Sequence, residues 1–108
     1  MPNVTIFMPT EKMPPDANLA ALTDQCTELC TGMLEAALEN VHIIYVGVRH
    51  GRGNPAYAEI QYRLVPFRTK AVMDVFMERL EAIIKANTGL AARIRCFGYT
   101  APAIHARN

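Results

Sequence analysis

The chain begins with MPNVTIFMP (residues 1–9), a stretch that decides how the fold starts. Val4, Ile6 and Met8 occupy every second position, which predicts a short strand that ends at Pro9. Pro2 stands directly before this strand. Within a chain, proline lacks an N–H, but removal of Met1 would convert the Pro2 nitrogen into a basic secondary amine. The stretch therefore predicts a first strand with a titratable group at its beginning.

A free nitrogen at Pro2 is a candidate general base. An α-amino group has a reference pKa of about 8. Desolvation or a neighbouring cation would leave much of it neutral at physiological pH, as a base requires. The alternative interpretation is that Met1-Pro2 is simply a rigid start to the chain.

Composition predicts a single domain that spans residues 1–108. Hydrophobic residues make up 51% and charged residues 19%, and no apolar run approaches the roughly 20 residues of a membrane span. We therefore expect no membrane partner. The start lacks the charged and apolar regions of a secretory signal, which predicts the cytoplasm, and three cysteines fit reduced thiols there. A net charge of +1 with scattered basic residues predicts no nucleic-acid partner.

The first half continues with a helix and a strand. Asp16 is a candidate cap for a helix whose apolar stripe extends through Leu34 to Ala37. Residues 41–48 (VHIIYVGV) predict a well-buried strand. The glycine-rich, basic loop that follows lacks the strand-to-helix context of a phosphate cradle, so residues 49–52 are interpreted as a solvated connection.

The second half repeats this plan. Residues 57–64 predict a strand with one polar and one apolar face. Thr69 is a plausible cap for a second helix that stops near Asn87 and Gly89, and residues 94–98 predict a fourth strand. The order β-α-β-β-α-β predicts an α+β fold: a four-stranded mixed sheet with both helices on one face, since parallel crossovers are right-handed.

The organisation resembles the tautomerase superfamily, in particular its two-repeat groups typified by macrophage migration inhibitory factor, malonate semialdehyde decarboxylase and cis-3-chloroacrylic acid dehalogenase. An N-terminal proline that opens a strand, two βαβ halves and the length carry the resemblance. Arg68-Thr69-Lys70 resembles the Arg-Ser-x that opens the second helix in the decarboxylase and dehalogenase, where the arginine binds the substrate carboxylate. Phe97-Gly98 and Pro102 resemble the end-of-strand segment of the dehalogenase.

The resemblance implies an isomerase that needs no cofactor and no metal, with Pro2 as the catalytic base. It implies substrate-binding roles for Arg68, Lys12, Phe97 and Tyr99. Lys12 corresponds to an arginine of the one-repeat members, although a surface lysine in a loop is the alternative. In the family, the segment of Phe97 and Tyr99 reaches into the pocket of a neighbouring subunit; core or interface packing is the alternative.

Physical reasoning also brings Pro2 and Arg68 together. Pro2 has the same parity as Val4, so it belongs to the helix-covered face, and Arg68 begins the helix that packs there. A guanidinium in that place can hold a carboxylate and depress the pKa of the proline amine by like-charge repulsion. Arg63, in contrast, is predicted on the opposite face, in an ion pair with a residue such as Glu59.

Other polar groups are assigned to structure. Cys26 and Cys30 lie four residues apart on the apolar stripe, and core packing is preferred to a metal pair or a redox couple. His42 is interpreted as a structural residue of a buried strand. No Asp or Glu follows Glu81, which argues against hydrolytic dehalogenation, and no residue is assigned to the decarboxylase's added acidic group.

The open face of the predicted sheet needs a cover. Its residues include Phe7, Tyr57 and Phe97, too aromatic for an ordinary solvent face. Three copies around a threefold axis would bury these faces, and the resemblance implies the same homotrimer.

The expected function is a tautomerase that moves a proton between carbon and oxygen of a small carboxylate substrate, a 2-oxo or 2-hydroxydienoate acid, provided that Met1 is removed. Two alternatives stay open. One is a non-enzymatic ligand- or protein-binding member of the same fold, and the other is a related decarboxylase.

Overall fold

The structure, a computed structural model, describes all 108 residues and contains one four-stranded sheet. The strands are β1 (Asn3–Pro9), β2 (His42–Val48), β3 (Ala56–Arg63) and β4 (Ala92–Tyr99). Their order across the sheet is β2-β1-β3-β4. Within each half the strands pair in parallel, and the two halves meet through the antiparallel pair β1 and β3. The predicted α+β class and mixed sheet are confirmed.

Two helices connect the parallel strands of each half: α1 (Asp16–Gly32) and α2 (Lys70–Thr88). The caps predicted for α2 are confirmed. The Thr69 hydroxyl accepts a hydrogen bond from the Val72 N–H, which satisfies one of the free donors of the first turn. Gly89 follows the last turn in the left-handed conformation, with φ of 72°, and donates its N–H to the Lys85 carbonyl.

The predicted ends of α1 are wrong at both termini. Asp16 is the first helical residue instead of the cap, and Pro15 precedes it without a side-chain hydrogen bond. The helix ends at Gly32, because Glu35 adopts a left-handed φ of 53° and the Ala36 N–H turns back to the Cys30 carbonyl. Leu34 continues the apolar stripe only as a buried residue beyond the helix.

The core lies between the helices and one face of the sheet. Alternate residues of β1 and β3 are buried, as period-two alternation predicts. They pack against the apolar stripes of both helices, including Leu22, Phe76 and Leu80. No polar or charged side chain is buried. Neither helix has the length and apolar character needed to cross a membrane.

The second strand is less buried than its sequence predicts. β2 lies at the edge of the sheet and pairs only with β1, so Ile44 is 43% exposed and His42 is exposed. Interpreting His42 as a residue of a buried strand was wrong. A continuous apolar run is typical of a strand that is covered on both faces, and in one chain nothing covers the face that Ile44 shares with Phe7 and Tyr57.

Candidate functional site

A cavity of about 410 Å³ lies beside the start of β1. Three segments surround it: the turn after α1, the connection from β3 to α2, and the C-terminal tail. Its walls include Met1, Glu35, Arg63, Phe67, Arg68 and Ile104. Arg63, Arg68 and Glu35 therefore border a common space near the N-terminus.

Pro2 follows the cavity residue Met1 in the chain but does not itself line the cavity. Its side chain is fully buried, and its carbonyl accepts a hydrogen bond from the His42 N–H at 3.1 Å. Met1 is half-buried and lines the cavity, so the residue bonded to the Pro2 nitrogen borders the open space. The ladder between β1 and β2 thus holds the candidate base in a fixed position.

Arg68 is held rigidly at the cavity wall. Its Nε donates to the Leu34 carbonyl at 2.9 Å, and its Nη1 donates to the Arg63 carbonyl at 2.8 Å. The guanidinium also lies over the Phe67 ring, 5.4 Å from its centroid. A guanidinium has five N–H donors, so these contacts fix its direction while leaving others free for a ligand. Burial lowers the pKa of Arg68, and the like charge of Arg63 lowers it further.

Arg63 is a cavity residue that the sequence analysis missed. β1 and β3 are antiparallel, with Asn3 opposite Gln61, so the last residues of β3 extend past the beginning of β1. Arg63 therefore borders the same cavity as Met1. The predicted ion pair with Glu59 is absent, since Lys70–Asp74 is the only pair within 4.0 Å. The antiparallel register was the signal that could have located Arg63 here.

Glu35 is the second residue that the sequence analysis missed. Its left-handed backbone is uncommon for a residue other than glycine, asparagine or aspartate, and such strain is concentrated at functional sites. Its carboxylate lies near enough to Arg68 to favour the charged guanidinium. The early end of α1, which the apolar stripe concealed, is what turns Glu35 toward the cavity.

The remaining predicted site residues do not meet this cavity within one chain. Lys12 is exposed in a single helical turn after Pro9, at the far end of β1, and seven strand residues separate the ends by about 23 Å. Phe97 and Tyr99 are 43% and 39% exposed and pair with Gln61 and Arg63 across β3 and β4. Neither ring lines the cavity.

The thiols belong to the core, as interpreted from the sequence. Cys26 and Cys30 are buried and belong to the main apolar cluster, and Cys96 packs against it. Burial raises the pKa of Cys96 to about 12. The chain contains no group of three His, Cys, Asp or Glu side chains arranged to hold a metal ion.

Comparison with solved structures identifies the class of fold. Macrophage migration inhibitory factor of Toxoplasma gondii superimposes with a TM-score of 0.78 at 16% identity, over 97% of this chain and 96% of that one. A fused 4-OT protein, solved as a symmetric trimer, gives 0.79 at 16% identity over 99% and 93% of the chains.

Malonate semialdehyde decarboxylase is also similar, with a TM-score of 0.74 at 10% identity over 99% of this chain and 92% of that one. No protein-family model and no curated protein matches the sequence. The superpositions establish a shared fold, and because all three identities are below 20%, they establish the fold alone. The chain has the fold of tautomerase-superfamily proteins, as its sequence organisation predicted.

Proposed function

We propose that the chain is a cofactor-free tautomerase that acts on a small 2-oxo or 2-hydroxydienoate acid. The observation that carries the proposal is the single cavity that joins the N-terminal end of β1 to the Arg68 guanidinium. After removal of Met1, the Pro2 nitrogen would face this space as a secondary amine. The neutral amine would accept the enol proton and return it to carbon, as a general base and then acid.

Arg68 would bind the substrate carboxylate. A guanidinium suits a carboxylate because its donors form parallel, charge-assisted hydrogen bonds. The hydrogen bonds to the Leu34 and Arg63 carbonyls orient Arg68 before substrate arrives, which reduces the entropy lost on binding. Arg63 would add a second positive charge, and both cations would favour the neutral form of the Pro2 amine.

Assembly into a homotrimer is part of the proposal. The uncovered sheet face carries the stacked pair Phe7 and Tyr57, whose centroids are 5.9 Å apart, together with exposed Ile44 and Phe97. Similar chains assemble as trimers in the 4-OT structure. A neighbouring copy would give Lys12, Phe97 and Tyr99 their only route to the cavity. A cytoplasmic location stays a prediction.

The decisive experiment uses untagged protein. Intact mass should show loss of Met1, and the processed protein should ketonise phenylenolpyruvate or 2-hydroxymuconate. Pro2→Ala should abolish this activity, since the primary amine of alanine replaces the cyclic secondary amine of proline. The matched control is the unmodified sequence with Met1 blocked by an N-terminal extension, which keeps every residue but removes the basic nitrogen. An active Pro2→Ala variant or an active blocked protein would refute the mechanism.

The carboxylate-binding role of Arg68 has its own test. Arg68→Lys keeps a positive charge but loses the planar fork, and should raise KM for carboxylate substrates more than it lowers kcat. Arg79→Lys, on the exposed surface of α2, is the control. Unchanged kinetics in Arg68→Lys would remove Arg68 from the site.

Glu35 favours a second candidate function, a decarboxylase or hydratase. Malonate semialdehyde decarboxylase, which shares the fold, has both decarboxylase and hydratase activities. A carboxylate that lines the same cavity as Met1 and Arg68 could activate water or take part in proton transfer. Glu35→Gln should abolish decarboxylation of a 3-oxo acid if this function is right. If the unmodified protein does not decarboxylate a 3-oxo acid, and Glu35→Gln affects only tautomerisation, the decarboxylase function is excluded.

A binding protein without catalytic activity is the remaining alternative. Retention of Met1 in untagged protein favours this function, because the Pro2 nitrogen would then stay an amide.

A further inference from the structure

A second cavity lies at the opposite end of the sheet from Pro2. Its volume is about 370 Å³, and it opens beside the ends of β1 and β2 on the face away from the helices. Its polar lining includes His50, Arg52, Asn54, Arg93 and Arg95. The stacked pair Phe7 and Tyr57 also lines it, so the cavity borders the sheet face that the proposed trimer would cover. No carboxylate lines it, so this cavity is strongly cationic.

Two segments that are distant in sequence supply these cations. The connection between β2 and β3 contributes His50 and Arg52, and β4 contributes Arg93 and Arg95. Arg93 and Arg95 stand two residues apart on the strand, so their side chains share the open face with Tyr57. In the sequence, only the basic loop residues lie close together. The pairing of β3 with β4 brings Arg93 and Arg95 to the same cavity.

The loop is held in a defined shape. Gly53 adopts φ of 101°, a conformation that side chains disfavour, and its carbonyl accepts a hydrogen bond from His50 Nε2 at 3.0 Å. This contact closes the turn from His50 to Gly53, and Arg52 within that turn lines the cavity. The imidazole and the turn thereby orient one side of the cavity.

The arginines of this cavity have no acidic partner. The only ion pair within 4.0 Å in the chain is Lys70–Asp74 on α2. Glu59 lies opposite Arg95 on the neighbouring strand, but it accepts a hydrogen bond from the Tyr57 hydroxyl at 3.2 Å and pairs with no arginine. Three like charges around one space repel one another, and a bound anion would remove that cost.

We propose that this cavity binds a small molecule that carries a phosphate group. Planar guanidinium groups match the oxygen geometry of phosphate, and phosphate carries close to two negative charges at neutral pH. Three arginines therefore suit phosphate better than a single carboxylate. The Asn54 amide is available as a neutral donor at the same wall. Within one chain the site is separate from the proposed catalytic cavity, because about 23 Å of β1 lies between the two ends.

Titration with inorganic phosphate and pyrophosphate tests the proposal. Calorimetry at constant ionic strength, on the protein in the assembly that it forms in solution, should show saturable binding with pyrophosphate the tighter ligand. Arg52→Gln and Arg93→Gln should each weaken pyrophosphate binding by about tenfold or more, since each removes a charge-assisted hydrogen bond.

The control is Arg79→Gln, which removes the same charge from the exposed surface of α2. It should change pyrophosphate affinity less than twofold. Thermal unfolding of each variant verifies that the fold is intact, and both mutated arginines are exposed in the single chain, so the core is not disturbed. Light scattering verifies that each variant keeps the assembly of the unmodified protein, because the cavity borders the proposed subunit interface. Absence of saturable binding, or an Arg79→Gln effect equal to those of the cavity variants, would overturn the proposal.

Discussion

Substitution of Gly98 by alanine tests how the end of β4 packs. Gly98 pairs with Tyr62, and a Cβ at this position would lie 2.6 Å from Leu64 Cδ2 and 2.9 Å from Tyr62 Cζ. Real Cβ atoms do not approach carbon so closely, so both neighbours must shift. Gly98 has no positive φ, which means that the cost is steric and not conformational.

Overpacking of this kind costs about 1–3 kcal/mol. Leu64 is 44% exposed and can rotate away, whereas the Tyr62 ring is buried and can move less, so we expect about 1–2 kcal/mol. Leu64→Ala removes the shortest contact and should recover part of this loss in the double variant, giving a favourable coupling free energy of about 0.5 kcal/mol or more.

Urea unfolding of all four proteins measures the coupling, at two protein concentrations so that assembly is separated from folding. Gly32→Ala is the matched control. Its Cβ would contact nothing within 4 Å, and Gly32 ends α1 without a positive φ. It should be more stable than the unmodified chain by about 0.5–1 kcal/mol. A Gly98→Ala variant with unchanged stability, or the same loss with and without Leu64, would refute the packing argument.

Three further predictions concern capping, ionisation and assembly. Thr69→Ala removes the hydroxyl that accepts the Val72 N–H and should lower the free energy of unfolding by about 0.5–2 kcal/mol in urea titrations, whereas Thr69→Ser should retain most of it. Because burial raises the pKa of Cys96 from 9.0 to about 12, the unfolded chain loses this proton first. Stability should fall as pH rises from 9 toward 12, and Cys96→Ala should lose less of its urea midpoint over that window; an equal loss contradicts the assignment. Ile44→Asp on the open face should convert a trimer of three 12.0 kDa chains into smaller species in light scattering, while Val75→Asp, similarly exposed on α2, should not; the same mass for both variants would place the interface elsewhere.

Much of the fold could be predicted from local patterns in the sequence. Period-two burial in β1 and β3, the Thr69 cap and the Gly89 stop all depend on neighbours within a few residues. Local propensity and backbone geometry act over that range, so these features were predicted correctly. The parallel pairing within each half was also predicted, and both helices were expected on one face because parallel crossovers have one hand. The order of the strands across the sheet was not predicted.

The errors occurred where distant residues decide the outcome. The apolar stripe of α1 runs on to Leu34, but the helix ends at Gly32 and the chain turns at Glu35. The Leu34 carbonyl in this turn accepts a hydrogen bond from Arg68, a residue 34 positions away in sequence. The apolar side chains of β2 show that the strand is suited to burial. Its place at the edge of the sheet decides that one chain leaves part of the strand exposed.

For the candidate site, the sequence by itself selected Pro2 and Arg68 and the face on which they lie, because side-chain parity and helix position are local properties. Tertiary structure alone decided that Arg63 and Glu35 join them, since the antiparallel register of β1 and β3 and the strained turn after α1 bring those residues together. It likewise decided that Arg93 and Arg95 meet Arg52. The physical reason is that a side chain's own segment sets its direction, whereas the groups that share its cavity are set by strand pairing over long sequence separations.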